Sequence, residues 1–203
     1  MRNFSSPAFF PRRQTVRQQA QRGITTVQVA IGILVSVIAL VGSFAGFQYV
    51  QQAKVNTDVA AMADIKTATM RYGSVLGTNG FTANNSSLTQ LISMGFFGSS
   101  AFSVTSNTAV LNQYQGGVSV AIPNDLTSNF DGLTFTFAGM PPTSCRDVAM
   151  RIDNLATTIR IFNGNSGGTT WVKPLNGTLD AASVIAGCGP ASNNQLIVTF
   201  TRT

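Results

Sequence analysis

At 203 residues the chain is long enough for one domain with an appendage, and a hydrophobic content of 44% excludes a disordered chain. The formal charge is +6, from 13 Lys and Arg against 7 Asp and Glu, but the excess sits at one end. Arg2, Arg12, Arg13, Arg17 and Arg22 precede any acid, and from Ile24 onward eight basic residues face seven acidic ones. The body therefore has no basic stripe, and no nucleic-acid partner is predicted.

The sequence contains no His and no Glu. That removes the commonest general base and half of the usual paired-carboxylate chemistry. The Gly-rich run Asn163-Gly-Asn-Ser-Gly-Gly168 lacks the lysine of a phosphate-binding loop and lies between strand-like segments, so it reads as a turn. No catalytic constellation, metal site or cofactor is predicted, and the chain does not read as an enzyme.

After the basic N-terminal segment, the thirty residues Ile24 to Ala53 carry no charge. Val27 to Val50, VQVAIGILVSVIALVGSFAGFQYV, would rise about 36 Å as a helix, enough for a hydrocarbon core of about 30 Å. The arginines before it place its N-terminus in the cytoplasm, so the chain beyond it is exported. An ordinary secretory signal has a shorter apolar region and ends in a small-residue cleavage site. Here Val55, Val59, Met62, Ile65 and Met70, with alanines between them, extend the helical pattern to about Tyr72. Gly73 and Gly77 are the predicted stop. Gly42-Ser-Phe-Ala-Gly46 has GxxxG spacing, and with Gly32 it marks patches where another helix could come close.

Ser74 to Gln115 is rich in Asn, Ser, Thr, Gly and Phe and reads as a connection holding one short helix, Ser87 to Gly95. Strands are predicted over Gly117 to Pro123, Leu133 to Ala138, Thr158 to Phe162, Thr170 to Lys173 and Gln195 to Thr201. A helix is predicted from Pro142 to Leu155, capped by Thr143 or Ser144, with Cys145, Val148, Ala149, Ile152 and Leu155 on one face. A second, short helix over Asp180 to Ala186 leads to Cys188. The fold class is α+β, a long N-terminal hydrophobic helix packed against an antiparallel sheet head.

Cys145 and Cys188 are the two cysteines. In an oxidising compartment they are expected to form one disulfide, closing a loop of about 44 residues worth roughly 4 kcal/mol by the chain-closure argument; the alternative is two unpaired buried thiols. Asp125 to Gly132 places oxygen-bearing side chains at alternate positions, but it lacks the Gly and Glu of a calcium loop and reads as a turn between strands. The sequons at Asn85 and Asn176 predict exposed loops.

The junction Gln21-Arg-Gly23-Ile24-Thr-Thr-Val-Gln28 resembles the processing site of type IV prepilins, and the long leader and non-Phe start resemble the type IVb branch. The resemblance rests on residues 12 to 54 and on the order of leader, apolar helix and late cysteine pair. It implies cleavage between Gly23 and Ile24 by a prepilin peptidase, with possible N-methylation of Ile24. The expected division is then a basic leader 1–23, a membrane and filament-core half 24–53, and a head 54–203 with a disulfide-bounded region 145–188. It also implies an inner-membrane precursor, a pilus assembly machinery and an extracellular filament of identical subunits. Adhesion, aggregation or conjugation would be the role of that filament.

The chain departs from the family at one position. The fifth mature residue is ordinarily Glu, which meets the terminal amine of a neighbouring subunit, and Gln28 stands there instead. Gln28 accepts a hydrogen bond but brings no charge. The residues expected to act in assembly are Gln28, Gly32, Gly42 and Gly46. The leading expectation is a structural pilin subunit; the alternatives are a minor pilin or type II secretion pseudopilin, and a membrane-anchored exported binding module.

Overall fold

The computed structural model describes residues 15–123, 126 and 131–202, and side chains from Gln28 onward. One helix, α1, covers Thr15–Leu76. It has no proline in its length, and a glycine inside a helix costs only about 1 kcal/mol, so Gly23, Gly32, Gly42, Gly46 and Gly73 are all carried within it. It therefore begins nine residues before the expected start at Ile24. The chain divides into two units, Met1–Tyr49 and Val50–Thr203.

In the second unit α1 is followed by a short 3-10 turn, Gly77–Asn79, then α2, Leu88–Ser93. Among the described residues seven strands complete the head: β1, Phe102–Ser106; β2, Ala109–Asn112; β3, Gly117–Ala121; β4, Gly132–Met140; β5, Thr158–Phe162; β6, Thr169–Lys173; and β7, Asn194–Thr201. Two helices interrupt them, α3, Pro142–Arg151, between β4 and β5, and α4, Ala181–Gly187, between β6 and β7. All strand pairs are antiparallel, in the order β1-β2-β3-β4-β7-β5-β6. The last strand thus lies inside the sheet, between β4 and β5.

Strand periodicity decides which side of this sheet is apolar. Leu133, Phe135 and Phe137 of β4 pair with Phe200, Val198 and Leu196 of β7, and Val198 and Leu196 pair onward with Ile159 and Ile161 of β5. Alternate residues point to one face, so all of these share a face, and all are buried. Val55, Met62 and Ile65 of α1, Leu91 of α2, and Val148 and Ile152 of α3 complete the core on that side. The opposite face is rich in threonine, and Thr134 and Thr199 share a hydrogen bond of 2.9 Å across the β4–β7 pair.

Several expectations change at this level. Met70 is 41% exposed, and Thr69 takes the buried position on the helix, its hydroxyl bonded back to the Ile65 carbonyl at 2.8 Å. The buried face of α1 therefore runs Val55, Asp58, Met62, Ile65, Thr69. β1 and β2 lie in the segment that reads as a connection. β1 is an edge strand whose last four residues, Ser103 to Ser106, are exposed, so it has no alternating apolar signature, and β2 is only four residues long. α3 starts from Pro141 as N-cap with Pro142 at its first turn, not from Thr143 or Ser144. A proline lacks the N–H that the first turn leaves unpaired and has its φ preset for the helix. α3 also ends at Arg151, with Leu155 in a turn bonded to Ile152. α2 is closed by a capping box, Ser87 with Gln90. Asn85 is half-buried rather than in an exposed loop, its amide bonded to Thr82 N and Gly80 O.

Gly73 does not stop α1; the positive φ of +60° at Gly77 does. Gly73 instead makes room for the C-terminal arm. A methyl group there would overlap Cβ of Arg202, whose guanidinium pairs with Asp131 at 2.7 Å and also donates to the Gly77 carbonyl. Gly73→Val is expected to destabilise the head by about 1–3 kcal/mol through overpacking, read as a lower denaturant midpoint. Gly73→Ala should show the smaller loss.

Candidate functional site

The sequence offers two places for function, the uncharged half of α1 and the cysteine-bounded end of the head. In the first, every described residue from Gln28 to Val50 is exposed. Leu40, Phe44 and Tyr49 are 70%, 68% and 75% exposed, so the apolar surface here lies open. The region has a mean hydropathy of 2.4 over an eighteen-residue window and is long and apolar enough to cross a membrane.

Its polar groups are reduced in a way that suits an apolar setting. The Ser36 hydroxyl donates to the Gly32 carbonyl at 2.8 Å and the Ser43 hydroxyl to the Ala39 carbonyl at 2.7 Å. Both donors are satisfied within the helix. At Gly32, Gly42 and Gly46 a methyl group would have nothing within 4 Å, so nothing in the chain itself requires these glycines to be small. Gln28 is exposed at the start of this region. Gly23 and Ile24 lie in the helical backbone of α1, and their side chains fall outside the described residues.

In the head, Cys145 of α3 and Cys188 at the end of α4 form the expected disulfide, with Cα atoms 5.9 Å apart and both residues fully buried. The bond ties α3 to a segment that includes β5, β6 and α4. Arg146 adds a hydrogen bond of 3.3 Å to the Cys188 carbonyl. Asp180 caps α4, accepting from Ala182 N at 3.0 Å and from the Ser183 hydroxyl at 2.5 Å. These bonds hold its carboxyl below the usual range.

Asp58 belongs to none of the sequence motifs. It lies on the buried face of α1, 5% exposed, and its Oδ2 makes no hydrogen bond. The Tyr114 hydroxyl, in the β2–β3 turn, is likewise buried without one. Desolvation by burial pushes the Asp58 carboxyl up to about 6, against opposing help from Tyr114, Gln113 and Lys54. Burial also pushes the Tyr114 hydroxyl upward, with Ser144 opposing and the Asp58 and Asp147 carboxylates adding to the rise. A signal is nonetheless present in the sequence: an acid three residues after Val55 and four before Met62 falls on the apolar stripe itself.

Among the described residues no three His, Cys, Asp or Glu side chains come together as a metal site. The Asp125 to Gly132 run lies largely outside the described residues; its Asp131 is engaged by Arg202.

The chain has the fold of type IV pilins of known structure. A pilin from Salmonella typhi superimposes with a TM-score of 0.52 at 17% identity, covering 72% of this chain and 99% of that one. TcpA, a type IV pilin from Vibrio cholerae El Tor biotype, does so with a TM-score of 0.51 at 12% identity, covering 73% and 99%. Residues 51–201 match the family model described as PilS N terminal, and the chain belongs to that family. No curated protein matches it.

Proposed function

We propose that the chain is a structural pilin subunit, made as an inner-membrane precursor, cut between Gly23 and Ile24 by a prepilin peptidase and polymerised by burying residues 24–53 against copies of itself. Residues 1–23 are then the leader, and 54–203 form the head that faces outward on an extracellular pilus. The observation that carries this reading is the open apolar surface from Gln28 to Val50 on a chain of pilin family. A single membrane passage would account for that surface in the precursor. Once the helix leaves lipid, however, a cover of equal apolarity is needed, and other copies of the helix supply it. The free space around Gly32, Gly42 and Gly46 supports the same reading, because small residues with no role inside the chain allow close approach from outside it.

Replacing residues 24–53 by an unrelated membrane-spanning helix tests this directly. The head should remain folded and exported while filaments disappear. A binding module held by a simple anchor would keep its function after the exchange. Processing has its own test: Gly23→Trp should leave only uncut precursor, and mature protein at the wild-type level would refute the assigned bond.

A second reading, a minor pilin or secretion pseudopilin, is favoured by one residue. Gln28 brings no carboxylate to the position where the family pairs an acid with the neighbouring amine. A subunit abundant throughout sheared filaments is the major pilin; one found only in trace amounts is a minor component.

A further inference from the structure

Asp58 is placed where a charge has little to compensate it. It lines a small cavity in the head with Met62, Phe102, Asn112, Tyr114, Phe137 and Met140. Four of these seven side chains are wholly apolar. The Asn112 amide is already used: its Oδ1 accepts from Tyr114 N at 2.9 Å and Gly116 N at 3.0 Å, and its Nδ2 donates to the Ala138 carbonyl at 2.7 Å. The polar atoms left facing the cavity are one carboxylate oxygen and one phenolic hydroxyl, both buried and both without a hydrogen bond of ordinary geometry.

We propose that Asp58 works as a proton-operated latch beneath Tyr114: while its carboxyl is neutral the largely apolar cavity stays dry and closed and the β2–β3 turn packs on α1, and ionisation of Asp58 draws water in and frees that turn. The turn has few other ties to α1. Gln113 Nε2 donates to the Lys54 carbonyl at 2.7 Å, and the Lys54 ammonium lies 5.7 Å from the centre of the Tyr114 ring. Lys54 is also, among the described residues, the cation acting on Asp58. From α3, Ser144 and Asp147 act on Tyr114, and Asp147, being exposed, adds only a screened repulsion. Among the described residues no charged side chain of the sheet lines the cavity.

The direction of the effect is set by linkage. The folded-state value of about 6 lies above the ordinary 3.8, so between these values the folded chain binds a proton that the unfolded chain has lost. The stabilisation is complete below about pH 4 and is lost as pH rises through about 6. The head tightens in mild acid and loosens toward neutrality.

Amide hydrogen exchange on the full-length chain in neutral detergent micelles, expressed as protection relative to intrinsic exchange, tests the latch. Between about pH 4.5 and about pH 8 the amides of residues 112–117 should lose protection about tenfold, while those of α3 and β7 stay constant. Asp58→Asn, neutral at every pH, should abolish the change, and Tyr114→Phe should move its midpoint upward by removing a partner of the ionised carboxyl. Constant protection in the wild type, or an unchanged pH dependence in Asp58→Asn, overturns the proposal. The 13C shift of the wild-type Asp58 carboxyl needs no variant. It should titrate together with the protection, and a carboxyl that stays ionised down to about pH 4.5 equally overturns it.

Discussion

Removing the disulfide by Cys145→Ala with Cys188→Ala is expected to cost the head about 4 kcal/mol, within a general range of about 2–5 kcal/mol. The bond joins residues 43 apart, and freeing them restores that loop entropy to the unfolded chain. The loss falls on a particular part of the head. β5 is held through β7, but β6 is an edge strand, paired on one side only, and α4 rests on β5 and β6. Exchange at the amides of β6 and α4 should therefore rise before that of β4 and β7. Denaturant titration of oxidised and variant chains gives the size of the effect. A variant as stable as the wild type would mean that packing of Val148, Ile152, Val184 and Ile161 alone holds this end.

Phe135→Ala is expected to be as damaging, at about 3–5 kcal/mol. Phe135 lies at the middle of β4, fully buried, and its ring is within 6.0–6.5 Å of four others, Phe96, Phe97, Phe137 and Phe200. These rings come from the α2–β1 segment, from β4 itself and from β7, so one side chain links parts of the head far apart in sequence. Truncation leaves a cavity that the paired strands on either side cannot close, since β4 is held by β3 and β7 at once. Phe135→Leu should recover most of the loss, and both are read from the denaturant midpoint. A loss below about 1 kcal/mol for the alanine variant would mean that the neighbouring rings collapse into the space.

Much of this architecture is legible from local pattern. The apolar run of α1, the i, i+3, i+4, i+7 face of α3 at Cys145, Val148, Ala149 and Ile152, and the alternation in β4 and β7 each state their own element. The disulfide is expected from two cysteines in an exported segment. Other features depend on neighbours that a local pattern does not contain. β1 carries Ser103, Thr105 and Ser106 because an exposed edge demands no apolar residue, and it is a strand only because β2 pairs with it. Gly73 looks like a helix stop, although its meaning lies with Arg202, distant in sequence. The placement of β7 between β4 and β5 has no sequence signal at all.

The site is legible unevenly for the same reason. A long uncharged helix advertises a non-aqueous partner whatever the rest of the chain does, so the open surface at Gln28 to Val50 is expected. Asp58 on the stripe of Val55, Met62 and Ile65 is equally readable, yet its consequence depends on Tyr114 being brought across from the β2–β3 turn. For Gln28 the proposed role lies wholly outside one chain. Its neighbour in the proposed filament would be the terminal amine of another copy.

The proposed cleavage after Gly23 is read most directly on the N-terminus of the assembled subunit. Mass spectrometry with N-terminal sequencing of sheared and purified surface filaments reads that terminus. The subunit should begin at Ile24, with or without a methyl group on its amine, and should retain the Cys145–Cys188 bond. Filament subunits still carrying Met1 to Gly23 would contradict the cleavage.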